Sequence, residues 1–170
     1  MEPLTRALVA ELGKKTGVSW LRYDGRTYPA WHVWLDDAMY LLSGDGEQPL
    51  PGIEAAERVE VLMRSKENGG RLVTWVGRSS RLLPDDEAWG PVTTALLADR
   101  LNVEDLATAV QHWAESCVVT RVEPTGEVVE EPGDLSDDEH AAPPAATTAT
   151  TRGPLPRVLH RRVSRRPELS

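Results

Sequence analysis

The sequence predicts a mainly β, α+β fold: a barrel-like sheet of about six antiparallel strands, flanking helices and a disordered C-terminal tail. Three observations predict it. Short apolar runs are separated by tight two-residue turn signals, Asp24-Gly25 above all. The strand-like run Arg71 to Leu83 is longer than strands usually are, and closing barrels are one place where such strands are used. Composition changes near Pro124, where large apolar residues thin out.

The elements follow in order. Leu4, Leu8 and Leu12 repeat every four residues, as one face of a first helix would, and Gly13 and Gly17 bracket its end. Val18 to Tyr23 reads as a strand, and Arg26 to Leu35 as a second, with Pro29 marking an edge or a bulge. Asp36-Asp37 turns the chain into a third strand, Met39 to Leu42. After the loop Gly44 to Gly52 comes Arg58 to Arg64, which alternates: Val59, Val61 and Met63 on one side, Glu60, Leu62 and Arg64 on the other. Gly69-Gly70 leads into the long fifth strand. Asp85-Asp86-Glu87 predicts a helix start, and Gly90-Pro91 a break and a new start. Asn102 predicts the cap of a further helix with the stripe Leu106, Val110, Trp113 and Ala114. Cys117 to Val122 is the last strand, stopped by Pro124. The folded domain is therefore expected over residues 1–124, with a tail over 125–170, and deleting residues 126–170 is expected to leave thermal stability nearly unchanged.

Composition bounds the function. Residues 1–123 carry 13 Lys and Arg against 19 Asp and Glu, which disfavours nucleic-acid binding by the folded part. The tail is acidic, then Ala/Thr/Pro-rich, then basic, with six Arg after Thr151. Those arginines are expected to make at most a weak contact with an anionic partner. Cys117 is the only cysteine, so no disulfide framework and no Cys-based metal site is expected. No run approaches 18 apolar residues and no signal peptide is visible, so a cytoplasmic location is expected. Six Trp and no Phe suit half-buried walls and flat ligands.

Arg64-Ser65-Lys66-Glu67-Asn68-Gly69-Gly70-Arg71 places three cations and a hydroxyl beside a Gly-Gly turn. In a chain of net charge -8 this is a candidate anion seat, because guanidinium and ammonium groups bind phosphate by charge-assisted hydrogen bonds. His32 is a candidate proton donor, haem ligand or ordinary strand histidine. It has no Cys or second His nearby to make a zinc site. The sequence holds no P-loop, dinucleotide fingerprint, nucleophile elbow or Ser-His-Asp order, and no catalytic acid or base is assigned.

Asp24-Gly25-Arg26-Thr27-Tyr28-Pro29 and its strand, Asn68-Gly69-Gly70-Arg71 opening a strand across Gly77, and Trp89 in the helix beyond carry a resemblance. With the element order of residues 4–123, they resemble the flavin-binding split barrel of the pyridoxamine 5'-phosphate oxidase-like superfamily. The resemblance implies a homodimer with FMN, or a deazaflavin, in a cleft between subunits, and a small-molecule redox substrate. It also implies that the second strand lies against the flavin. Alternation there puts Ala30, His32 and Trp34 on one face and Trp31, Val33 and Leu35 on the other. The loop after the third strand departs from the family, which commonly has phosphate-binding cations there. Gly44-Asp45-Gly46-Glu47-Gln48-Pro49-Leu50-Pro51-Gly52 has none, and its two carboxylates repel a phosphate. Three alternatives follow: cations of the Arg64 to Arg71 stretch hold the phosphate, the ligand is not a flavin phosphate, or the site is vacant. The expected cofactor contacts are Arg64, Ser65, Lys66, Arg71, His32, Trp34 and Gln48. A barrel used for ligand binding or protein interaction without redox chemistry is the alternative function, and haem binding through His32 a third.

Overall fold

The computed structural model describes residues 1–65, 69–100 and 106–135. Among these the chain forms α1 (Pro3–Lys15), β1 (Val18–Tyr23), β2 (Arg26–Trp31), β3 (Val33–Leu35) and β4 (Ala38–Gly44). A 3₁₀ turn at Ile53–Ala55 leads to β5 (Val59–Arg64), β6 (Arg71–Leu82), α2 (Trp89–Asp99), α3 (Leu106–Ser116) and β7 (Cys117–Glu130). One antiparallel sheet holds all seven strands in the order β2-β1-β5-β6-β7-β4-β3.

The two edge strands are consecutive in the chain. The expected second strand is split at His32: β2 pairs with β1 at one edge, and β3 pairs with β4 at the other. The sheet therefore curls into a half-barrel whose edges meet across one residue. At that bend the His32 N–H donates to the Gly17 carbonyl (3.4 Å). Pro29 lies in β2, an edge strand, where a missing N–H costs no ladder bond.

Turn chemistry sets the hairpins as expected. Asp24 and Gly25 have φ of 48° and 69°, and Asp36 and Asp37 have 46° and 56°, the left-handed pair that matches strand twist in two-residue hairpins. Asp tolerates this region because its short polar side chain bonds locally.

Two apolar layers pack on the sheet. Inside, Leu21, Met39, Leu41, Val59, Val61, Met63, Val73 and Trp75 meet Val9 and Leu12 of α1. Outside, Tyr40, Leu42, Leu82 and Val119 are covered by Val92 and Leu96 of α2 and Ala109 and Trp113 of α3. Strand β4 is buried on both faces from Ala38 to Ser43, which is why it reads as a continuous apolar run.

Three expectations are corrected. The buried stripe of α1 is Thr5, Val9, Leu12 and Gly13, while Leu4 is 85% exposed. A strict spacing of four drifts by about 40° per step on a 3.6-residue helix, so Leu4 rotates off the face that Leu12 occupies. Asp85-Asp86-Glu87 forms no helix. Asp86 Oδ2 accepts the Leu83 N–H (2.7 Å) in a turn, and one helix starts at Trp89, with Pro91 in its first turn where its N–H is dispensable. The last strand does not stop at Pro124 but runs to Glu130, so residues 125–130 belong to the sheet rather than to a tail. Pro124 stands opposite Gly77 at a register irregularity, beyond Val122 where β4 pairing ends, so the strand continues there without a donor. The break at His32 gives seven strands, in keeping with the expected barrel of about six. The Asn102 cap, Lys66 and the chain after Leu135 lie outside the described residues.

Candidate functional site

A groove of about 640 Å³ opens where the end of α1, the β2–β3 bend and the end of α2 converge. That volume lies in the range of small-molecule sites. Each wall follows from local sequence. Helix α1 ends at Lys15, where Thr16 caps it: the Thr16 N–H and Oγ1 both donate to the Leu12 carbonyl (2.8 and 2.7 Å). This leaves Lys14 and Lys15 in the last turn, beside Gly17 and Val18 at the rim. Lys15 pairs with Glu11 one turn back.

The floor is the bend Trp31-His32-Val33-Trp34. The Trp34 ring lies against Gly13. A Cβ at Gly13 would sit 2.5 Å from Trp34 Cδ2 and Cε3, so glycine is what lets helix and strand approach. Trp34 also meets Trp75 edge-on, with ring centroids 6.0 Å apart. Its Nε1 is buried without a protein partner. His32 is 4% exposed, and its Nε2 shares a hydrogen bond with Ser19 Oγ (2.8 Å). His32 Nδ1 is buried with no partner. Burial pushes the imidazole pKa down to about 4, so the ring is neutral at physiological pH.

The remaining wall is Ala95, Asp99 and Arg100 of α2 and its cap. The Arg100 guanidinium lies over the Trp31 ring, 5.3 Å from its centroid, and pairs with Glu47 at 2.8 Å. The groove-lining charges are thus Lys14, Lys15 and Arg100 against Asp99. Lys15 and Arg100 each stand beside a carboxylate, Glu11 and Glu47, so cations line the groove without a large net positive field.

Of the seven candidate contacts, His32 and Trp34 line this groove. Arg64, Ser65, Arg71 and Gln48 do not. Arg64 is exposed and lies 5.9 Å from the Trp20 ring centroid. Ser65 closes the β5–β6 turn, its N–H donating to the Gly70 carbonyl at 2.7 Å. Arg71 pairs with Glu130 at 3.3 Å, and Thr74 Oγ1 donates to the same carboxylate at 2.9 Å. Arg64 and Arg71 therefore lie against separate partners. Gln48 accepts the Trp31 N–H and donates to the Trp31 carbonyl, both at 2.9 Å. Its amide replaces a neighbouring strand for the last residue of β2. The sequence reading missed Lys14 and Arg100. Basic residues at a helix C-terminus are ordinary dipole complements, and nothing local marked these two as neighbours across the fold.

Curled sheet, leading helix and helical cover define a split-barrel fold. The solved structures that resemble it bear this out. The chain is similar to a putative pyridoxamine 5'-phosphate oxidase of Listeria innocua, at 18% identity and a TM-score of 0.50, over 74% of this chain and 98% of that one. It is similar to the heme storage protein HutZ of Vibrio cholerae, at 15% identity and a TM-score of 0.50, over 69% and 88% of the two chains. A conserved hypothetical protein of Mycobacterium tuberculosis matches at 16% identity and a TM-score of 0.53, over 74% and 81%. No family model matches the sequence, and no curated protein does. No described helix is long and apolar enough to cross a membrane.

Proposed function

We propose that this chain is a flavin-binding split-barrel protein that holds FMN or a deazaflavin in the groove over Trp31 to Trp34. We further propose that it works as a cytoplasmic homodimeric oxidoreductase on a small-molecule substrate. One observation carries the reading: the aromatic residues Trp31, His32 and Trp34 of one bend line the same groove as Lys14, Lys15 and Arg100. Aromatic walls beside a few convergent polar groups suit a flat ligand that carries an anionic group. A flavin has such a ring, and the nearby cations suit its phosphate. When bound, a flavin supplies electron transfer, and the protein's part is binding, orientation and exclusion of water. Val18, 52% exposed at the rim, suits cover by a second subunit.

The test is absorbance and titration of the purified protein. Flavin bands, or saturable quenching of tryptophan fluorescence by FMN or a deazaflavin, are expected, with binding weakened in His32→Ala. Binding without turnover of any reductant would leave the ligand-binding alternative. A colourless protein that takes up neither flavin nor haem ends both cofactor readings.

A further inference from the structure

We propose that Arg100 is the residue that grips the anionic group of the groove's ligand, and that Glu47 positions it from behind. The ligand class is a planar molecule bearing a phosphate or carboxylate. This rests on the flavin reading for the planar part alone.

The argument starts from where each charge stands. Arg100 lines the groove and Glu47 does not. The Glu47 side chain is 8% exposed and that of Arg100 23%. The carboxylate is therefore the buried partner, and the guanidinium lies between it and the opening. A guanidinium offers five N–H donors in a planar fork, and the Glu47 contact is made by Nη2. Nε is buried and turned away from solvent, and the Glu47 contact is an ion pair without hydrogen-bond geometry. The flat face rests on the Trp31 ring, which fixes its plane. At its base, the Arg100 N–H donates to the Leu97 carbonyl (3.3 Å) and closes α2.

Glu47 is held just as firmly. Its N–H donates to the Gly44 carbonyl (3.1 Å), and the next residue, Gln48, clamps both backbone polar groups of Trp31. Trp31 thus carries Arg100 on its ring and the Glu47 loop on its backbone. A carboxylate in front of the phosphate would repel it. A carboxylate behind a guanidinium orders the cation, lowering the entropy cost of binding. The acidic loop that looked hostile to a phosphate becomes the support of its receptor.

The experiment compares FMN with riboflavin, which lacks the phosphate, on wild type, Arg100→Ala, Arg100→Lys and Glu47→Gln, with melting temperatures as a fold control. Arg100→Ala is expected to weaken FMN by about tenfold or more, since a charge-assisted hydrogen bond is lost, and riboflavin by less than about twofold. Arg100→Lys should fall between. Glu47→Gln should weaken FMN by about threefold with riboflavin unchanged, a selective change that a general loss of packing would not produce. Equal losses for the two flavins, or FMN binding untouched by Arg100→Ala, would overturn the proposal. If wild type binds neither flavin, the flavin reading falls and inorganic pyrophosphate decides, followed by tryptophan fluorescence. Binding that Arg100→Ala removes supports Arg100 as an anion receptor. No binding to wild type overturns that too.

Discussion

Ser19 Oγ stands 2.8 Å from His32 Nε2, joining the first strand to the residue at which the sheet closes. Both residues are buried, at 0% and 4% exposure. The hydroxyl holds the neutral ring in place, and Nδ1 is buried without a protein partner.

A pH dependence follows from that burial. The His32 pKa is pushed down to about 4 from an ordinary value near 6.5, so the unfolded chain binds the proton more readily. Stability from this group is complete above the unfolded value and is lost as pH falls through the interval from about 6.5 to about 4. The full loss is of order 3 kcal/mol. Urea unfolding at pH 7 and pH 4.5 should show a smaller decline for His32→Gln than for wild type. Equal declines would mean that the buried ring does not titrate as argued.

Gly13→Ala should destabilise although alanine is the better helix former. The new methyl meets the Trp34 ring, and overpacking typically costs about 1–3 kcal/mol. Gly90→Ala is the control: nothing lies within 4 Å of a Cβ there, and the change should raise the melting temperature slightly. Similar falls for both would remove the close approach as the cause.

Gln48→Ala removes two hydrogen bonds from the Trp31 backbone and should cost about 1–3 kcal/mol. Gln48→Glu keeps an acceptor for the N–H but sets a carboxylate oxygen against the Trp31 carbonyl, so it should destabilise at least as much as Gln48→Ala. Amide exchange of Trp31 reads this directly, because its N–H loses protection only when the acceptor is gone.

Strand β7 can be tested by paired truncations. A chain ending after Pro124 loses the β6 pairing of Val128 and Glu130, together with the Glu130 carboxylate that Arg71 and Thr74 share. It should melt several degrees below a chain ending after Leu135. Equal melting temperatures would return the domain boundary to Pro124.

Much of the fold was legible because its signals are local. Asp24-Gly25 and Asp36-Asp37 dictate left-handed turns wherever they stand, and the alternation from Val59 to Met63 states which face is buried. The break at His32 was not legible: both halves of Arg26 to Leu35 have strand character, and only the curling of the whole sheet assigns them to opposite edges. Pro124 misled for a related reason, since its tolerance depends on β4 pairing having already ended. The site was half legible. Alternation puts His32 and Trp34 on one face of the run Arg26 to Leu35, and both line the groove although the strand breaks at His32. Lys14 and Arg100 come from two helix ends far apart in sequence, and only tertiary structure makes them neighbours. Conversely, Arg64 and Arg71 stand opposite one another across the β5–β6 hairpin, yet each side chain lies against its own partner.

Strand β4 has a consequence for how the molecule comes apart. Its odd-numbered side chains, Met39 and Leu41, belong to the inner layer, and its even-numbered ones, Ala38, Tyr40 and Leu42, to the outer. Lifting α2 and α3 would wet one side of a strand whose other side is the barrel interior. The helical cover and the barrel are thereby bound into a single cooperative unit, and neither is expected to survive as a fragment or as a graft on another scaffold.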